Sequence, residues 1–126
     1  MRQITIVTEN KVGILADVCE ALSGAGVNIE SVSAQGLDDR GVIRIVTADE
    51  TTATKALEKA GYRIDVGDIV IARVNNRPGE LAKIARKLSK SGVDIECVYM
   101  LSAEKGIASF AIKTDDVAKA NKALKA

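Results

Sequence analysis

Two short stretches combine residue types able to hold a small polar ligand. Asn10, Val12, Gly13 and Ile14 lie in "ENKVGILADVC", and Asn76, Pro78, Gly79 and Glu80 lie in "NNRPGELAKIA". An asparagine amide both donates and accepts hydrogen bonds, and a glycine lets the backbone come close to a bound group. The plainer reading of the same residues is a helix start, with Asn76 as cap, Pro78 in the first turn and Gly79 as a packing glycine. Other chemistry is thin. The chain has no histidine, which removes most metal and acid–base sites. The carboxylate pairs Asp38–Asp39, Asp49–Glu50 and Asp115–Asp116 fall at turns or helix starts, where carboxylates serve the backbone. Cys19 and Cys97 form no CxxC pair and read as small hydrophobes in a reducing compartment. No catalytic constellation emerges, and no metal or cofactor is expected.

The two stretches are copies. A displacement of 66 positions (79 − 13) lays Asn76 on Asn10, Gly79 on Gly13, Leu81 on Leu15, Leu88 on Leu22 and Gly92 on Gly26. It also lays "GVDIECV" on "GVNIESV" without a gap, so the chain is a tandem duplication. We expect a first repeat at 1–66 and a second at 67–126.

Each copy needs the same elements to position its loop. The β-branched runs "QITIVT" and "DIVIARV" are strands. Apolar residues at helical spacing follow, Ile14, Leu15, Val18 and Leu22 in one copy and Leu81, Ile84, Ala85 and Leu88 in the other. Gly26 and Gly92 are expected as left-handed caps. The next strand begins near Val27 or Val93, and its apolar parity breaks between Ile29 and Val32 and between Ile95 and Val98, which predicts a β-bulge in each copy. Turns at Asp38–Gly41 and Glu104–Gly106 lead to "GVIRIVTA" and "GIASFAIKT", followed by helices over Glu50–Ala60 and Asp115–Lys125. "GYRIDV" closes the first copy as a short strand, and the second copy shows no counterpart. The order predicts an α+β chain: two ferredoxin-like βαββαβ repeats, antiparallel sheets with helices on one face, the second without its last strand. The closing strand "GYRIDV" could pair with either repeat, and an edge left open invites dimerisation, so a homodimer is expected.

The 126 residues carry a formal net charge of +1 and are 47% hydrophobic but only 2% aromatic. A balanced charge argues against nucleic-acid or anionic-membrane partners. The scarcity of aromatics removes the base-stacking platform of RNA-recognition domains, which share this topology. No apolar run is long enough for a membrane span, and the N-terminal segment turns polar too soon for a signal peptide, so a cytoplasmic protein is expected.

With the Asn-x-x-Gly loop before each first helix and Gly-Val-Asn/Asp-Ile opening each second strand, the chain resembles the ACT domain, an amino-acid-binding regulatory module. The resemblance covers almost the whole chain as two such domains, and is nearest to the regulatory domain of phosphoglycerate dehydrogenase. There the ligand sits at a seam between domains joined through their second strands. Carried over, the resemblance implies a loop half of the pocket at Asn10, Val12, Gly13 and Ile14, and at Asn76, Pro78, Gly79 and Glu80. It implies a strand half at Asn28 and Ile29, and at Asp94 and Ile95. Val12 replaces the proline kept at Pro78, and Asp94 replaces the asparagine kept at Asn28, so unequal sites are expected. Asp94 would strengthen ammonium binding. The implied role is a stand-alone sensor of a free amino acid, without catalysis of its own, acting on a partner enzyme or regulator in trans. The rival reading is a ligand-free assembly module.

Overall fold

The computed structural model describes residues 1–125. The elements run β1 (Arg2–Glu9), α1 (Ile14–Gly24), β2 (Ser31–Leu37), β3 (Arg40–Val46), α2 (Glu50–Lys59), β4 (Arg63–Asp68), β5 (Val70–Asn75), α3 (Glu80–Lys90), β6 (Ile95–Glu104), β7 (Ile107–Thr114) and α4 (Val117–Lys125). They divide into two compact units, Arg2–Gly67 and a second running from Asp68 onward with Met1. Each unit is a ferredoxin-like arrangement of antiparallel sheet and two helices, the second one strand shorter.

In the first unit the strand order is β2-β3-β1-β4. The β1–β3 ladder sets Ile4 opposite Ile45 and Ile6 opposite Ile43. These four alternate toward the helices and meet Val18 and Leu22 of α1 and Ala53 and Leu57 of α2 in one buried cluster. Thr5 and Arg44 lie between these isoleucines on the opposite face, so a one-residue slip would bring them inward. The closing strand β4 lies beside β1, and Tyr62, Ile64 and Val66 pack on the same core. This answers the question left open by "GYRIDV": it completes the first sheet, not the second.

The second unit has the order β5-β7-β6, with Val70, Ala72, Phe110 and Ile112 packed under Ile84, Leu88 and Ala120. Among the described residues β5 is therefore an edge.

The helices end alike. After α1, Gly26 at φ 75° lets Val27 N donate to Leu22 O and Gly26 N donate to Ser23 O. Gly92 after α3 repeats both bonds with Leu88 and Ser89. This is the left-handed helix end expected at both glycines.

One expected bulge is present and one is not. In β6 the register shifts between Ile95 and Cys97, as the parity break predicts, and again between Met100 and Ser102. In β2 the pairing with β3 runs unbroken from Ser31 to Leu37. The break at Ile29–Val32 straddles the start of the strand instead: Ile29 packs on the core from the irregular segment before it, and Val32 is already paired with Ile45. Among the described residues no helix is long and apolar enough to cross a membrane.

Candidate functional site

The two Asn-x-x-Gly loops fold in the same way. Asn10 N donates to Asp39 O and Asn76 N to Gly106 O, both at 2.9 Å, so each loop is tied to the following hairpin turn of its own repeat. Ile14 N donates to Lys11 O and Glu80 N to Arg77 O, and the helices open with Asp17 N on Gly13 O and Lys83 N on Gly79 O.

Gly13 and Gly79 hold φ of 91° and 88° and stand at the N-caps of α1 and α3, with no side chain capping either helix. The need for glycine is thus conformational: a Cβ at either position would meet nothing within 4 Å, but the left-handed backbone would be strained. Close packing is not the reason for Gly79. Nor does Asn76 cap α3, and Pro78 precedes the helix, which starts at Glu80. Val12 is fully exposed and Ile14 half-buried.

The asparagines differ between the copies. Asn10 Nδ2 donates to Asp38 O at 3.0 Å, and the side chain lies against Gly36 of β2, where an added Cβ would come within 2.6 Å of it.

The strand halves lie elsewhere. Asn28 O accepts from Thr47 Oγ1 at 2.8 Å, beyond the end of β3, whereas Asn10 is tied to Asp39 just before its start. The strand between them separates the two by on the order of 25 Å. Asp94 likewise sits beside Asp115, whose Oδ1 accepts from Asp94 N at 2.9 Å after the end of β7, while Asn76 bonds Gly106 before its start. Neither repeat by itself brings its Asn-x-x-Gly loop to its own Asn/Asp-Ile segment.

Within the first unit, the structure instead gathers charged residues that the sequence did not assign to a site. A groove of about 650 Å³ lies between the end of β1, the start of α1 and the α2–β4 turn. Lys11, Arg40 and Arg63 line it with Glu9, Asp17 and Asp39. None of these six side chains forms an ion pair with another described residue. Ile14 and Tyr62 also line it. Burial, with a contribution from the Asp17 charge, raises the Tyr62 hydroxyl above its usual range, so it stays a proton donor at neutral pH. Tyr62, one of only three aromatics, was the one visible signal in the sequence for this wall.

The second loop is closed on itself. Glu80 accepts from Arg77 Nε at 2.6 Å and lies 3.6 Å from Lys83 Nζ. The hydrogen bond from Arg77 holds its carboxyl below the usual carboxylate range, with the charges of Lys83 and Arg77 adding to the effect. The carboxylate pairs read as structural behave so: Asp49 Oδ1 accepts from Thr52 N, Asp116 Oδ1 from Lys119 N, and Glu50 pairs with Arg2 at 2.7 Å. Among the described residues no group of three metal-ligating side chains converges. Neither Cys19 nor Cys97 forms a disulfide among the described residues, and both are half-buried.

A family model described as an ACT domain pair matches residues 1–125. A solved structure from Bacteroides thetaiotaomicron is 32% identical over 98% of this chain and 85% of its own, with a TM-score of 0.88. The ligand-free regulatory subunit of aspartate kinase from Thermus thermophilus is 20% identical, over 98% of this chain and 88% of its own, with a TM-score of 0.75. The corresponding subunit from Thermus flavus is also 20% identical, over 98% and 90%, at 0.68. At that identity the Thermus proteins share the fold. These structures lend no support to the narrower likeness to phosphoglycerate dehydrogenase. Curated protein sequences give no match.

Proposed function

The chain belongs to the family of ACT domain pairs, and from that membership we propose that it is a regulatory protein that senses a free amino acid and acts on a partner in trans. The observation that carries the reading is the doubled loop. Gly13 and Gly79 each turn the chain left-handed into a helix whose first N–H groups no side chain caps. Such a helix start suits the α-carboxylate of a small zwitterion. Glycine adopts this turn without strain, so both helix starts stay open without a side-chain cap. The Thermus proteins of this fold are named as regulatory subunits, and a regulatory rather than catalytic role is what we propose here.

A ligand shifts a protein between arrangements only through unequal affinity for them, so binding should register as stabilisation of the bound form. The test is thermal unfolding with each common amino acid in turn. A rise in Tm with one or a few of them, lost in Gly13→Val, supports sensing. No shift with any amino acid overturns it.

The second reading, an assembly module, has its own observation. Edge strand β5 borders a groove of about 390 Å³ lined by Val70, Ala72, Ile84 and Leu124, the edge at which the first sheet carries β4. An unpaired edge of this kind supports strand addition and a homodimer. A monomer in light scattering at high concentration counts against it.

A further inference from the structure

The groove at the edge of β5 has a counterpart in the first repeat, and there it is filled. Asp49 and Asp116 each accept a bond from the backbone N–H three residues on, which aligns α2 with α4 at a displacement of 67 positions (116 − 49). Leu57 then corresponds to Leu124. In the first unit β4 lies beside β1 and brings Tyr62, Ile64 and Val66 onto the core, and Leu57 is wholly buried. In the second unit no strand among the described residues lies on that side of β5, and Leu124 is half-buried and lines the groove. Ala72 stands where the first repeat has Ile6, which leaves room for a larger side chain to enter.

The charges at the same positions are changed as well. Arg73, Lys83, Lys87 and Lys125 line the groove against a single acid, Glu80. The first repeat has Val7, Asp17, Ala21 and Glu58 at these four positions. Where the chain supplies its own fourth strand, none of the four is a cation; where it does not, all four are. A second copy added edge to edge about a two-fold axis would set these cations against their own copies, which like-charge repulsion disfavours.

We propose that the β5 edge is a docking site for an extended acidic segment of another protein. The segment adds beside β5 as a fourth strand, sets alternate apolar side chains over Ala72 and Leu124, and lays its carboxylates among the four cations. Main-chain bonds to the open edge and pockets for alternate side chains are the usual terms of strand addition, and the cations steer an acidic partner to the groove. The proposal rests on the open edge of the assembly reading, gives it a partner other than a second copy, and is independent of amino-acid sensing.

The experiment is fluorescence anisotropy of a labelled synthetic peptide, "EYEIEVE", titrated with the full chain. The peptide repeats the Tyr-x-Ile-x-Val spacing of Tyr62, Ile64 and Val66 with glutamates between. Saturable binding is expected, weakened about tenfold or more by combining Arg73→Val with Lys125→Glu, and weakened by added salt. Both positions are exposed and both changes copy the first repeat, so the fold should be kept. Only alternate amides of an added strand face β5, so of two peptides N-methylated on alternate amides, one should lose binding and the other keep it. Absence of binding at about 1 mM peptide, equal binding of a peptide with lysines for glutamates, or equal binding of both methylated peptides overturns the proposal. A dimer whose β5 amides resist hydrogen exchange, and which the peptide leaves intact, gives the edge to a second copy: it overturns this proposal while the assembly reading stands.

Discussion

Replacing Gly36 by alanine probes how the first loop is held. Gly36 lies in β2 without a positive φ, so alanine there is free of backbone strain and should gain the usual preference over glycine in a strand, about 0.5–1 kcal/mol. The new Cβ, however, would stand 2.6 Å from Asn10 Nδ2 and 2.8 Å from Asn10 Cγ. The neighbour that must move is an exposed side chain, so it swings away and gives up its bond to Asp38 O. That loss costs about 0.5–1.5 kcal/mol. The two effects nearly cancel, and Gly36→Ala alone should change stability by less than about 1 kcal/mol.

Once Asn10→Ala has removed the obstructing atoms, the same substitution should stabilise by the full strand preference. Urea unfolding of the four proteins of the cycle should therefore give a coupling of about 1 kcal/mol, with the double variant no less stable than Asn10→Ala. Additivity to within about 0.3 kcal/mol would show that Asn10 does not rest on Gly36. A loss above about 2 kcal/mol in Gly36→Ala would show that the backbone, not the side chain, had to yield.

Other outcomes follow from the same contacts. Glu80→Gln should remove an acid-sensitive increment of stability. The folded-state pKa of Glu80 is depressed below its usual value of 4.5, so its contribution is present above that value and is lost as pH falls through the folded one; in urea unfolding monitored by circular dichroism the unmodified chain should be the more stable at neutral pH, and the gap to the variant should close in acid. Leu88→Ala, at a position with no exposure, should cost about 2–5 kcal/mol in urea unfolding. Gly26→Ala should cost about 1 kcal/mol through its left-handed φ alone, because a Cβ there meets nothing within 4 Å.

The duplication and the element order were legible because aliphatic runs and capping glycines repeat without a gap. Gly26 and Gly92 announced the helix ends, and the α2 start at Glu50 lay where Asp49 caps it. Less was legible where parity was the only guide. The break at Ile95–Val98 is a bulge, while the same break at Ile29–Val32 straddles the start of the strand, because pairing in the first sheet begins only at Ser31. The second shift, at Met100–Ser102, has no apolar signature to reveal it. The charged groove was hidden for a different reason. Its walls come from residues 7 to 63 across several elements, and Arg40 and Arg63 each look like an ordinary strand-surface charge until the fold brings them together.

The two buried clusters share no residue: one draws on Ile4 through Leu57, the other on Val70 through Ala120. Each half of the chain thus holds its own reserve of cooperativity, and nothing in either cluster requires the other to melt with it. In native-state hydrogen exchange, the amides of β1 and β3 and those of β5 and β7 should then report two opening free energies instead of one global value. A ligand bound in the first half would raise the protection of that half alone.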